Sequence, residues 1–173
     1  YLIEDACHAF GANYYNNKKK YSVGSCMHSD ISTFSFHPLK TITTGEGGAV
    51  TTNNKNIAEK VMQFRSHGIE KNKSKHWLYD VDKIGFNYRL SDINAALGVS
   101  QLRNIRKVLL RRKEIFYKYI NMLDNYMNLL SIIKPELKTN PAFHLVLANV
   151  NFDKLKITKN QFIQKLLKKK IIC

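Results

Sequence analysis

Apolar and polar positions recur along this chain at two periods, and the switches between them mark its elements. Tyr1, Leu2 and Ile3 form a short apolar run that stops at Glu4-Asp5, as the end of a buried strand does. "GANYYNNKKKYSVGS" (11–25) is rich in turn formers and predicts a short hairpin or loop. Ile31 to Phe36 alternates loosely and predicts a strand, buried like the one before it. Gly48 to Thr52 predicts another, with "TTNNKN" as its exit turn. From Asn56 to His67 the period lengthens. Ile57, Val61 and Phe64 share one face of a predicted helix, with Gly68 as its C-cap. "GIEKNKSKHWLYDVDKIGFNYRL" has no period and predicts a long connection of the kind that compact domains keep for function. Ser91 then caps a long helix carrying Ile93, Leu97, Leu102, Ile105, Leu109, Phe116, Ile120 and Leu123 at helical spacing. "KPELKTNP" predicts a loop and Ala142 to Val150 a strand. Thr158-x-x-Gln161 is a capping box that opens a last helix with Phe162, Ile163, Leu166 and Leu167 inward.

Strands that alternate with helices, followed by a long helix and a smaller mixed piece, predict an α/β class. The boundary falls near residue 105: 1–105 as a large domain, and 106–173 as a linking helix and the beginning of a small α+β domain. Hydrophobic residues are 44% of the 173, with nine Phe and nine Tyr, enough for a packed core. No apolar run approaches a membrane span and no charged-then-apolar leader opens the chain, so a cytoplasmic location without membrane partners is expected. The chain starts on a strand end and stops as "LLKKKIIC" begins a new apolar run, which reads as an internal stretch of a longer protein.

Charge adds a second candidate function. Lys and Arg number 28 against 13 acidic residues, a net charge of +15. A basic module for nucleic acid or another polyanion is the alternative reading of that balance. The cations are scattered over Lys18–Lys20, Lys71–Lys75, Arg103–Lys113 and Lys165–Lys170, however, without the interleaved aromatics of a stacking platform. A solvated basic surface explains them more simply. Three cysteines, Cys7, Cys26 and Cys173, form no CxxC pair and are expected as free thiols. Cys7-His8 and Cys26-x-His28 match no zinc-ligand spacing. Asn72-Lys73-Ser74 fits a glycosylation sequon in a chain with no sign of export.

Three clusters can carry chemistry. Asp5 and His8 lie just past a strand's carboxyl end, where open α/β sheets place ligand groups. Locally they also fit a helix N-cap and a half-buried histidine. Lys40 sits in "SFHPLKTITTGEGGAV", flanked by Leu39 and Thr41, with no acidic residue before Glu46. An amine is nucleophilic only when neutral, a form that desolvation or a nearby cation favours. Ser35 offers a hydroxyl to an anion, and Gly45, Gly47 and Gly48 allow close backbone approach. Asn87 and Arg89 flank Tyr88 just before the cap of the long helix, where they could serve an anion or merely satisfy backbone at a junction.

"IEDACHAFGA", "FSFHPLKTITTGEGGAV", "FRSHGIE" and "GFNYRLSDINAALGVSQL", in this order, resemble the DegT/DnrJ/EryC1/StrS family of sugar aminotransferases. The resemblance is strongest from Tyr1 to Leu102 and weak after Lys113. It implies a fragment of an aspartate-aminotransferase-like large domain (pyridoxal-phosphate fold type I) with a mixed, mostly parallel sheet. It also implies pyridoxal 5'-phosphate as cofactor, attached at Lys40, with Asp5 on the pyridinium nitrogen, His8 near the phenolic oxygen and Ser35 on the phosphate. Asn87 is similar to the residue that reaches the cofactor phosphate of a neighbouring subunit, so the resemblance implies a homodimer with shared sites. Arg89 matches the same anionic region. The implied reaction takes an amine from an amino acid, by resemblance glutamate, and places it on a nucleotide-linked keto sugar, with Lys40 as general base and acid. "SFHPLKTITTGEGG", "FRSHGI" and "GFNYRLSDI" are most similar to enzymes that aminate C4 of a UDP-linked 4-keto-6-deoxy-N-acetylhexosamine on the route to pseudaminic acid. The family's N-terminal phosphate-gripping turn and ring-stacking aromatic have no counterpart in this stretch, so the stretch alone is expected to bind cofactor poorly.

Overall fold

A computed structural model describes residues 1–71, 74, 77–81 and 83–172. Cys173 and most of the predicted sequon lie outside the described residues. The central sheet has the order β1 (Ile3–Asp5), β4 (Ile31–Ser35), β5 (Gly48–Thr51). β1 runs parallel to β4 with Asp5 opposite Thr33, and β4 runs antiparallel to β5 with Ser35 opposite Gly48. Between β1 and β4 the turn-rich segment forms a hairpin, β2 (Asn13–Asn16) and β3 (Lys19–Ser22). Asn17 and Lys18 at its tip both have positive φ, 48° and 63°, the two-residue turn that matches strand twist.

α1 (Lys55–Arg65) starts on Asn54, whose side chain accepts from the Asn56 and Ile57 amides. β6 (Ile69–Lys71) and β7 (Tyr79–Val81) pair antiparallel. The segment predicted as a structureless connection is therefore partly a hairpin; strands of three residues are too short to show a period. Ser91 caps α2 (Asp92–Arg103) as expected, accepting from the Asn94 amide at 3.3 Å. The single long helix is not found. It breaks at Asn104 (φ −104°, ψ 1°), where α2 ends and α3 (Ile105–Leu123) begins. Asn readily leaves helical geometry.

A 3-10 turn (Asp124–Tyr126) leads to β8 (Leu130–Ile132). The expected loop contains β9 (Thr139–Asn140), which joins β2 as the third strand of its sheet. Only β10 (Ala148–Val150) of the predicted strand 142–150 is extended, paired with β8, because Phe143 turns the chain with a φ of 48°. α4 (Phe152–Leu155) precedes α5 (Lys159–Lys168), whose Thr158–Gln161 capping box forms as read. The sheet expected to be mixed and mostly parallel is mixed, and β1–β4 is the one parallel pairing among the described strands.

The buried apolar residues are Ala6, Ala12, Cys26, Phe34, Ile42, Phe116 and Ala142. Phe10 meets Phe34 and Phe36 edge-on at 5.4 and 5.6 Å. β4 alternates as predicted, with Ser32 and Phe34 buried, but β1 is an exposed edge: Ile3 is 61% accessible because only β4 pairs with it. Ser32 hydrogen-bonds the Glu4 carboxylate, and the Cys26 thiol donates to Thr51 O at 3.2 Å, so this core is partly polar.

At one point two backbones nearly touch. A Cβ on Gly68, where φ is +72°, would lie 1.8 Å from Lys83 O, and one on Gly85 would lie 2.0 Å from Gly68 N. This crossing docks the β6–β7 hairpin before α2. Gly68→Ala adds a backbone clash to a left-handed strain penalty, so the complete protein should lose about 2–4 kcal/mol of unfolding free energy. Chemical denaturation reads that loss, and a change under about 0.5 kcal/mol would refute the crossing.

Candidate active site

Because β1 and β4 run parallel, their carboxyl ends leave the sheet at one edge, and Asp5 and Ser35 stand there. Cys7 N–H donates to Asp5 Oδ1 at 3.1 Å, closing a tight turn, and Ala6 N–H donates to Thr33 O at 2.9 Å. The Cys7 thiol and amide hold the Asp5 carboxyl below the ordinary aspartate range. The nearby charges of His8 and Lys40 act in the same direction, against a smaller desolvation cost. Reciprocally, the Asp5 carboxylate pushes the Cys7 thiol up, so it stays protonated.

Lys40 enters from the segment between β4 and β5. β5 returns antiparallel, so this loop must begin and end at the edge that carries Asp5. Phe36 N–H donates to Gly47 O at 2.8 Å, and Thr44 N–H and the Thr43 hydroxyl donate to Phe36 O at 3.0 and 3.1 Å. Thr41, Ile42 and Thr44 are buried, and Gly98 of α2 lies so close that a Cβ would meet Thr44 Cγ2 at 2.8 Å. The loop is thus seated on the sheet and on α2, with Lys40 half-buried between exposed Leu39 and buried Thr41. The Lys40 charge bears on Asp5, Cys7 and His144. It forms no ion pair with Asp5. Among the described residues the pairs within 4.0 Å are Lys55–Glu59 and Arg111–Glu114, both on exposed helix faces. Ser35 is half-buried at the end of β4 and accepts from His37 N–H at 3.4 Å.

The sequence reading missed His144. Its ring lies 4.2 Å from that of His8, tilted by 43°. Its Nδ1 is buried without a hydrogen-bond partner, as is Thr41 Oγ1. Desolvation first, then the charges of His8, Arg112 and Lys40, push its pKa down and favour the neutral ring. No local signal marks it: "AFHLVLANV" reads as a strand, and contact with His8 arises only in the fold.

The structure therefore brings Asp5, His8, Lys40 and Ser35 to one sheet edge. Asn87 and Arg89 are exposed on the approach to α2, next to Leu90, which lies against Gly47 of the lysine loop. Asn87 bridges to Ser66, and among the described residues no hydrogen bond, ion pair or ring contact joins either residue to the other four. The imagined zinc partners are engaged elsewhere: Cys26 Sγ with Thr51 and Ser32, His28 with Tyr14 and Asn16. No helix among the described residues is long and apolar enough to cross a membrane.

Known proteins are similar to this chain. UDP-4-amino-4,6-dideoxy-N-acetyl-beta-L-altrosamine transaminase of Campylobacter jejuni (strain 81-176) is 49% identical over 114 residues, 66% of this chain and 28% of that protein. The uncharacterized protein MJ1066 of Methanocaldococcus jannaschii is 39% identical over 179 residues, 99% of this chain and 44% of its own. The solved structure of Helicobacter pylori PseC, an aminotransferase involved in the biosynthesis of pseudoaminic acid, superposes with a TM-score of 0.82 at 33% identity. It covers 96% of this chain and 42% of PseC. The chain spans less than half the length of each of these relatives. The model of the DegT/DnrJ/EryC1/StrS aminotransferase family matches residues 1–173, and the chain belongs to that family.

Proposed function

We propose that this chain is part of a pyridoxal-phosphate-dependent aminotransferase that moves an amino group from an amino acid, glutamate by resemblance, to a nucleotide-linked 4-keto-6-deoxy sugar. The products would serve surface-polysaccharide or nonulosonic acid synthesis. The observation that carries this reading is the geometry of β1, β4 and β5, which sets Asp5 and Ser35 at strand ends beside the loop that bears Lys40.

The residues present fit the cofactor. An ionised Asp5 has acceptor capacity beyond the Cys7 amide that donates to it, enough to hold a proton on a ring nitrogen. Thr41 Oγ1 and His144 Nδ1 are buried polar atoms that the chain itself leaves unpaired. Lys40 would attach the cofactor, Asp5 would face its ring nitrogen, His8 its ring oxygen and Ser35 its phosphate. Asn87 is exposed, which suits a role at the neighbouring subunit's phosphate in a homodimer, with Arg89 in the same anionic region. When bound, pyridoxal phosphate supplies an electron sink for charge developing at the donor's α-carbon. Asp5 keeps that sink effective by remaining anionic. Lys40, on a loop seated by the buried Thr41, Ile42 and Thr44, would act as general base and acid for the 1,3-proton shift. Residues 1–105 are read as large-domain and 106–173 as linking-helix and small-domain sequence; the β2–β9 pairing ties the two stretches together.

Two outcomes follow for the complete protein. Reconstituted with pyridoxal phosphate, it should show a visible absorption band, and borohydride should fix the cofactor on Lys40. Lys40→Ala should lose the band and at least about 10³-fold of amino transfer to a keto sugar; retention of both would refute the assignment. Asp5 has a lower pKa folded than unfolded. The stability it contributes is complete above the ordinary aspartate value and is lost as pH falls through the folded value. Carboxyl NMR titration should place its midpoint below that of the unfolded chain. Because the Cys7 thiol is the largest cause, Cys7→Ala should move that midpoint upward, and an unmoved midpoint would remove the thiol from the account.

A further inference from the structure

The His144 ring has no Nδ1 hydrogen bond to orient it, so its place against His8 depends on the backbone that carries it. That backbone is strained: Phe143 is a non-glycine residue at a φ of 48°. α3 supplies two restraints. Arg112 Nη1 reaches the carbonyl oxygens of both Phe143 and His144, at 3.5 and 3.1 Å. The Phe143 ring meets Phe116 at 4.6 Å and Tyr117 at 6.1 Å, and Phe116 is buried. A charged donor shared by two carbonyls is among the stronger hydrogen-bonded arrangements, and it lies one turn from the aromatic restraint on the same helix.

We propose that Arg112 is a positioning residue for the Lys40 site: it clamps the left-handed Phe143–His144 corner so that the His144 ring is held against His8. No family motif quoted above includes Arg112, and it contacts neither Lys40 nor Asp5 in any recorded hydrogen bond or ion pair among the described residues. Through this clamp α3 and the 142–150 segment bear on a site otherwise built from β1, β4 and the lysine loop. The groups facing His144 are His8 beyond β1, Lys40 on the loop and Arg112 on α3, with Asp5 and Cys7 next to Lys40 and His8. All three facing groups are cationic or able to become so, which makes the titration of His144 a gauge of how near it is held.

The clamp is tested in the complete, cofactor-free protein by NMR titration of His144 in a double-mutant cycle. In the wild-type background His8→Gln removes the facing imidazole whose charge depresses His144, so the His144 midpoint should rise. In the Arg112→Met background the corner is released, so His8→Gln should leave the midpoint unchanged and the cross-peak between the two rings should vanish. Arg112 lost as a charge alone would raise the midpoint in both backgrounds and leave the His8 effect intact, which would overturn the proposal. Should Arg112→Met not fold, Arg112→Lys keeps the charge but not the double reach. A His8 effect halved or less supports the clamp, and an undiminished one refutes it. The consequence for turnover rests on the aminotransferase reading above: kcat in loaded Arg112→Met should fall about 10²-fold with the visible band kept. A wild-type protein lacking both band and turnover would end that reading and leave the NMR cycle to decide the clamp.

Discussion

The parallel pairing of β1 with β4 is the constraint on which everything else at this site rests. Only a parallel ladder sends the carboxyl ends of two strands out at the same edge. Antiparallel strands would put Asp5 and Ser35 at opposite edges of the sheet. The pairing extends beyond the strands, from Asp30 N–H to Leu2 O at one end to Ala6 N–H to Thr33 O at the other. A parallel pair needs a long connection, commonly a helix. Here a tight hairpin fills that role, and β9 from far along the chain completes its sheet. The antiparallel return of β5 then forces the lysine loop to open and close beside Asp5. Side-chain chemistry enters only after the backbone has set these meeting points.

What could be read from the sequence follows from how local each feature is. Asp5, Ser35 and Lys40 lie within a few residues of strand ends, and a strand end followed by polar residues is visible without the fold. The capping residues Ser91 and Thr158 were legible for the same reason, since a cap is a bond between residues three apart. His144 was not, because its significance is a contact with His8 created by β9, by a strained Phe143 and by α3. Periodicity cannot register a left-handed residue that ends an apparent strand. Arg112 looked like one more member of a basic helix face and is instead turned to two carbonyls.

The elements that were misread fail on length and phase. β6, β7 and β9 have three, three and two residues, too few for alternation to stand out from polar surroundings. The break at Asn104 was hidden because apolar residues continue on both sides of it. Burial was overestimated for β1 because an apolar run reports that a strand wants cover, not whether this chain supplies it. Ile3 and its neighbours have a partner on one edge only.

The charges around Asp5 are arranged unlike those of a structural ion network. In a structural pair each ion contacts its partner, as Arg111 does Glu114 at 2.9 Å, and exposed pairs of that kind contribute about 0.2–1 kcal/mol. Around Asp5 the arrangement differs in two respects. A carboxylate and an ammonium influence one another without touching, and two buried polar atoms, Thr41 Oγ1 and His144 Nδ1, go unpaired. The two titrating groups are also pushed toward opposite charge states: Asp5 toward its ion by donors, His144 toward neutrality by burial and surrounding cations. Folding alone gains nothing from leaving such groups apart and unsatisfied. Environments that divide neighbouring groups in this way are those in which one holds charge against a ligand while another stays uncharged beside it.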